Sequence, residues 1–300
     1  MIKVESVTKT FGNFTALDSM SLNVEKGSVY GLIGPNGAGK TTFIKTLMGI
    51  YKQDSGSIEV DGKKVYENSD IKKRMVYVSD DLFFYTTYSI MDVAKYYAQQ
   101  YPQFSWEVFN KLSEIFKIDV KRKAKRLSKG MQKQVAFWIG ISARPDIMIL
   151  DEPLDGLDPV MRRHTWNILL GEVSERGMTV LVSSHNLREL EDVCDHIGIM
   201  FDGKVVIEKS LDDVKGNIHK VQAAFSEGAI PEELREKLDI LHSSKFGSVE
   251  NLIVRGENNE ISKLISEYKP LIFDILPLTL EEIFIYELGG MDYEFKNIIL

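Results

Sequence analysis

Apolar residues at Ile2, Val4 and Val7 alternate with polar ones and predict an opening strand. Met20 to Val24 predicts a second. A turn at Glu25-Lys26-Gly27 leads into the apolar run Val29 to Ile33, which reads as a buried strand. Phe43, Ile44, Leu47 and Met48 then fall at helical spacing within Thr41 to Ile50. Ser57 to Val60 and Met75 to Val78 are further strands. From Ile90 to Gly140 the period is helical: Leu112, Ile115 and Phe116 mark one face, and Val135, Phe137, Trp138 and Ile141 mark another helix. Strand signals return at Ile147 to Leu150, Met178 to Val182, Ile197 to Phe201 and Val205 to Glu208, with helices expected over Val160 to Arg176 and Leu187 to Asp195. Strands alternating with helices predict an α/β fold, a parallel sheet covered on both faces. The helical block in the middle, about residues 82–143, reads as an inserted subdomain.

Composition shifts near Lys215-Gly216-Asn217, which divides residues 1–215 from residues 216–300. Beyond it the pattern predicts strand Ile218 to Phe225, helix Pro231 to Leu238, strands Ile240 to Phe246 and Val249 to Val254, helix Asn258 to Tyr268 and strand Leu271 to Leu276. The succession βαββαβ is the ferredoxin-like, α+β arrangement. A last helix is expected over Thr279 to Leu288.

A chain of 300 residues, 44% hydrophobic and 27% charged, has the make-up of a globular protein with a sizeable core. Its formal net charge of −7 argues against nucleic acid as a partner. The one basic run, Lys121 to Arg126, reads as a solvated loop before a helix. The single cysteine, Cys194, excludes an intrachain disulfide and a cysteine zinc site. No apolar stretch approaches the length of a membrane span, and charges interrupt the opening residues where a signal peptide would need an apolar core. A membrane process would therefore need its spanning segment from another chain.

Gly34-Pro35-Asn36-Gly37-Ala38-Gly39-Lys40-Thr41 matches G-x-x-x-x-G-K-[ST], between a buried strand and a helix. Glycines let successive backbone N–H groups converge on phosphate oxygens, and the helix aims its positive end at the same place. Gly34, Asn36, Gly37, Ala38, Gly39, Lys40, Thr41 and Thr42 are thus candidate ATP ligands, with Lys40 reaching the outer phosphates and the Thr41 hydroxyl available to Mg²⁺. Ile147 to Leu150 leads straight into Asp151-Glu152-Pro153. Ligands sit at the carboxyl ends of parallel strands. Asp151 is therefore a candidate metal ligand, and Glu152 a candidate base for an attacking water.

With these two motifs in order, residues 1–211 resemble the nucleotide-binding subunit of an ABC transporter, of bacterial exporter type. The resemblance implies an ABC cassette with a mostly parallel core sheet, an antiparallel β part and the inserted helical subdomain. Phe11 sits where the family stacks an aromatic on adenine, with core packing as the alternative. Leu127-Ser128-Lys129-Gly130-Met131 stands at the signature Leu-Ser-Gly-Gly-Gln, so Ser128 and Gly130 would bind the γ-phosphate of a second cassette's ATP. Leu154-Asp155-Gly156-Leu157-Asp158 matches the loop after the catalytic glutamate, with Asp158 also placed to cap a helix at Pro159. Ser183-Ser184-His185 matches the switch histidine, making His185 catalytic alongside Glu152 and Lys40.

The chain departs from that pattern in two places. Lys129 and Met131 replace a glycine and a glutamine of the signature. Asp80, in Val76-Tyr77-Val78-Ser79-Asp80-Asp81, stands where the family has a glutamine; a carboxylate there is expected near the metal, because it would otherwise repel the phosphates and Glu152. By resemblance the partners are a second cassette, identical or paralogous, and a separate transmembrane permease received near Leu82-Phe83-Phe84-Tyr85-Thr86-Thr87-Tyr88. The location implied is the cytoplasmic face of the cell membrane. The ending Pro277 to Phe284 resembles exporters of drugs and antimicrobial peptides. The other reading is a soluble non-transport ABC ATPase, regulatory or translation-linked.

Overall fold

The computed structural model describes residues 1–216, 218–226, 229–276, 278–280 and 282–283. It divides into two compact units, Met1–His185 with Val193–Glu208, and Asn186–Asp192 with Lys209–Leu300.

The first unit carries two sheets. Strands β1 (Ile2–Phe11), β2 (Phe14–Val24), β4 (Ser55–Val60) and β5 (Lys63–Lys64) form an antiparallel sheet in the order β2-β1-β4-β5. A six-stranded sheet in the order β10-β9-β3-β8-β7-β6 is built from β3 (Val29–Ile33), β6 (Met75–Val78), β7 (Ile147–Asp151), β8 (Thr179–Ser184), β9 (His196–Phe201) and β10 (Lys204–Ser210). Its neighbours β9-β3-β8-β7-β6 are paired in parallel. Every residue of β3, β7 and β8 is buried, which is why these strands read as continuous apolar runs rather than alternations.

Helix α1 (Lys40–Leu47) follows β3 at once. Eight residues are too few for a helix to stand on propensity. It is held by Phe43, Ile44 and Leu47, each fully buried in one cluster with Val4, Leu17 and Met20 of the antiparallel sheet and Leu32, Ile149 and Leu181 of the parallel one. Burying each such side chain stabilises by about 1.5–3 kcal/mol. Short α2 (Ser69–Lys72) precedes β6. The inserted block holds α3 (Ile90–Gln100), α4 (Trp106–Phe116) and α5 (Lys129–Ser142), capped by Ser89, Ser105 and Ser128 respectively. Its centre is Trp138, fully buried, stacked on Phe109 at 4.5 Å with its indole N–H donating to the Phe109 carbonyl at 2.8 Å. Helix α6 (Pro159–Arg176) links β7 to β8.

The expected helix over Leu187 to Asp195 does not form. Only a 3₁₀ turn, Leu187–Glu189, is present. The Asn186 side chain caps it by accepting from the Arg188 N–H at 3.0 Å. Farther on, Asp195 is tied to strand β3 by its own N–H to the Val29 carbonyl and by its carboxylate, which accepts from the Val29 N–H at 2.7 Å. Extended pairing at that end leaves no room for continued helical turns.

The second unit contains α7 (Leu211–Gly216), β11 (Ile218–Ala224), α8 (Glu232–Lys237), β12 (Asp239–Phe246), β13 (Val249–Arg255), α9 (Asn258–Glu267) and β14 (Ile272–Leu276). After α7 the order is βαββαβ, and the sheet runs β12-β13-β11-β14 with antiparallel ladders. Val221, Leu252 and Val254 of the sheet pack with Leu234 of α8 and Ile261 and Ile265 of α9. Most of the expected helix over 279–288 lies outside the described residues.

Candidate functional site

Parallel pairing sets the site. Register aligns Ile33 with Ser184, Asp151 with Ser183 and Val78 with Leu150, so β3, β8, β7 and β6 end together. One edge of the sheet therefore collects the Gly-rich loop after β3, His185 after β8, Glu152 after β7 and Asp80 after β6.

The loop after β3 bends through Gly37 at φ 87° and Gly39 at φ 105°, conformations that L side chains rarely adopt. A Cβ at Gly39 would also lie 2.7 Å from the Ala16 carbonyl oxygen. Beside Gly37 a Cβ would meet nothing within 4 Å, since its backbone borders an open concavity. The cavity, about 340 Å³, is lined by Asn36, Gly37, Gly39, Lys40, Thr41, Thr42, Asp80 and Glu152, with Pro35, Phe14 and Ala16. Lys40, buried at the start of α1, donates to the Gly34 and Pro35 carbonyls at 2.6 and 3.3 Å and lies 3.2 Å from Glu152 Oε1. That last contact is an ion pair without hydrogen-bond geometry, and buried Oε1 accepts no hydrogen bond. Ala38 folds the loop back, its N–H donating to the Pro35 carbonyl.

Asp151 is 1% exposed. Its Oδ2 accepts from Thr41 Oγ1 at 2.9 Å and from the Tyr77 hydroxyl at 3.3 Å, and its Oδ1 from Ser183 Oγ at 2.6 Å. Burial, before any other cause, pushes the Tyr77 phenol up to about 12, so it stays a proton donor at neutral pH. The partners of Asp151 among the described residues are thus hydroxyls, not cations, and a buried carboxylate so placed favours an added positive charge. An oxygen set of Thr41 and Asp151 fits a hard divalent ion such as Mg²⁺.

Glu152 sits at φ 46°, a left-handed backbone that costs a non-glycine residue about 1–3 kcal/mol and marks functional positions. Its N–H donates to Ser183 Oγ at 3.1 Å. Its Oε2 lies 2.9 Å from His185 Nδ1 and accepts from the His185 N–H at 3.3 Å. Glu152, Asp155 and His185 each bring one ligand atom within 4.8 Å of the others, but the Glu152–His185 hydrogen bond already occupies that cluster.

Other expected residues fall elsewhere. Phe11 does not line the cavity; it packs edge-on against Tyr51 at 5.3 Å with Lys9 over its ring, while its cross-strand partner Phe14 lines the wall. Ser128 accepts from the Met131 N–H at 3.3 Å as the N-cap of α5, with Lys129 exposed beside it. Gly130 faces Gly156, whose carbonyl oxygen would lie 2.7 Å from an added Cβ. Asp158 caps α6, accepting from the Val160 and Met161 N–H groups. None of Ser128, Gly130 and Asp158 lines this chain's own cavity.

Asp80 lines the cavity, but the cation beside it is Lys133, with Nζ 2.8 Å from Asp80 Oδ1. The repulsion anticipated at Asp80 is thus met by a protein ammonium, with no metal required for it. Sequence reasoning passes over Lys133. Its signal is a lysine ahead of Phe137, on a helix face otherwise given to core.

The chain matches the ABC transporter family over residues 17–155. It is 32% identical to the ABC transporter ATP-binding protein YtrB of Bacillus subtilis over 97% of this chain and 99% of that one. Against the bacitracin transport ATP-binding protein BcrA of Bacillus licheniformis it is 28% identical over 97% of this chain and 98% of the relative. The lantibiotic transport ATP-binding protein SrtF of Streptococcus pyogenes is 35% identical over 71% of this chain and 92% of its own length. The fold is shared with the solved ATP-binding subunit of an ABC transporter, with TM-score 0.67 and 24% identity over 72% of this chain and 92% of that one. It is shared also with a dimeric bacterial ABC transporter cassette, with TM-score 0.64 and 24% identity over 70% of this chain and 99% of the other. The chain therefore belongs to the ATP-binding subunits of ABC transporters, cassettes that bind and hydrolyse ATP and work with transmembrane partners.

Proposed function

We propose that this chain powers an exporter of antimicrobial peptides or drugs, as one of two cassettes beneath a separate permease at the cytoplasmic face of the cell membrane. The observation that carries the chemistry is the convergence of Lys40 and His185 on Glu152 in the cavity wall, with Oε2 bonded to His185 and Oε1 ion-paired with Lys40 but accepting no hydrogen bond. Loop amides from Gly34 to Thr42 and the Lys40 ammonium cradle the phosphates of ATP. Thr41 and Asp151 would hold Mg²⁺, with Asp80 of the cavity wall as a further carboxylate near it, and the ion would supply charge neutralisation at the phosphates. Glu152 takes the proton of the attacking water and His185 orients it. Phe11 and Phe14, paired across the hairpin, offer the adenine an aromatic edge. Ser128 and Gly130, with Asp158, close the partner cassette's site from the start of α5 and α6.

Similarity to BcrA along nearly the whole of both chains supports the exporter reading. So does the exposed aromatic patch of Phe83, Tyr85 and Tyr88, which suits a helix from a membrane subunit. No helix among the described residues is long and apolar enough to cross a membrane.

Glu152→Gln is the decisive variant. It is expected to bind ATP with Mg²⁺, to lose turnover by at least about 100-fold, and to accumulate a closed dimer by size-exclusion chromatography. Rapid hydrolysis by this variant would remove Glu152 as the base. Lys40→Ala is expected instead to weaken nucleotide binding in calorimetry. Co-purification of the chain with a spanning subunit from membranes tests the transport role, and a chain recovered without one favours the regulatory reading.

A further inference from the structure

Lys133 lies on α5 and is 8% exposed. An ammonium so buried persists only against compensating partners. Its Nζ has two, from different strand ends: Asp80 Oδ1 at 2.8 Å and the backbone carbonyl oxygen of Glu152 at 2.7 Å. The second is unusual in kind, because the carbonyl belongs to the residue in left-handed conformation. With the Glu152 N–H held by Ser183 Oγ, the peptide groups on both sides of that residue are pinned.

We infer that Lys133 is a positioning residue for ATP hydrolysis: it holds the Glu152 backbone, and so the aim of the Glu152 carboxylate, against Asp80 in the cavity wall. The inference rests on the reading of Glu152 as the base. The geometry has a consequence for coupling. Helix α5 begins at the Ser128 cap, so the same rigid element that presents Ser128 to a partner cassette carries the cation that holds Glu152. A shift of α5 on dimer closure would reach Glu152 through one hydrogen bond. Asp80, more than half exposed, completes the clamp by holding Nζ in place at 2.8 Å.

The test compares Lys133→Met, which keeps the length and removes the donor, with Lys133→Gln, which keeps a donor and removes the charge. Steady-state kinetics with ATP and Mg²⁺ are measured on the full chain. Misplacement of a catalytic group by about 1 Å costs up to about 100-fold. Lys133→Met is expected to lower kcat at least about tenfold with KM for ATP within about twofold. Lys133→Gln should fall between that variant and wild type, because its amide can still reach the Glu152 carbonyl. Wild-type kcat in either folded variant overturns the inference, as does a rise in KM in step with the loss of kcat, the mark of a damaged nucleotide site. If Lys133→Met fails to fold, Lys133→Gln is judged by the same two readouts. Full-rate Lys133 variants beside an inactive Glu152→Gln overturn this inference alone; turnover by Glu152→Gln overturns the reading beneath it.

Discussion

Individual residues carry most of the chemistry, and their environments separate roles that composition leaves equal. Asp151 and Glu152 are adjacent carboxylates with different surroundings: the first is sealed among three hydroxyls, the second held between a lysine and a histidine. The sequence made both legible, because an apolar strand ending in two acids beyond a phosphate loop has few other uses. Asp80 was legible only by position. Its hardness as a metal ligand was argued from chemistry, but its pairing with Lys133, on a helix far along the chain, could not be read. Asp80→Asn gives the expectation for the metal reading: the Mg²⁺ concentration for half-maximal hydrolysis rises several-fold, and an unchanged midpoint would assign Asp80 to Lys133 alone. Cys194 is buried and its thiol pushed upward, mainly by desolvation and then by Asp195, so a thiol titration of the folded chain with a mild reagent is expected to leave it unmodified.

At the scale of elements, the hairpin that presents Phe11 and Phe14 depends on a residue outside it. Asp54 accepts from the Thr10 N–H at 2.6 Å, the Thr10 hydroxyl at 2.8 Å and Lys9 Nζ at 3.0 Å. The Thr10 backbone bond first, and then Lys9 and the Thr10 hydroxyl, hold the Asp54 carboxyl down to about 2 from 3.8. A depressed folded-state value means that this stabilisation is complete above pH 3.8 and is lost as pH falls toward about 2. Asp54→Asn is expected to lower the melting temperature at pH 7 and to flatten the loss of stability between those two pH values; an unaltered acid limb in thermal scans would show that the anchor does not matter. Helices and strands with strong period were readable from the pattern. The stretch from Leu187 to Asp195 misled because its spacing of apolar residues is helical, while a capped 3₁₀ turn and the pairing of Asp195 to Val29 outweigh that weak local preference.

For the molecule as a whole, the exposed aromatics after the Asp80 loop bear on assembly more than on chemistry. Phe83 is 73% exposed and Tyr85 58%, with Lys125 over the Phe83 ring. Replacing both with serine is expected to keep ATP affinity within about twofold, since neither lines the cavity, and to reduce recovery of the chain with its membrane subunit about tenfold or more, the scale at which interface aromatics act. Retained co-purification would place the docking surface elsewhere. By itself the sequence determined the phosphate loop, the strand-borne carboxylates and the succession of elements, because glycine conformations, apolar period and motif order are local properties. Only tertiary structure decided that Phe14 lines the cavity, that Lys133 neutralises Asp80, and that four strand ends meet at one edge. Those are contacts between residues far apart in the chain, set by parallel register and by the cost of burying a charge without a partner, which no local pattern records.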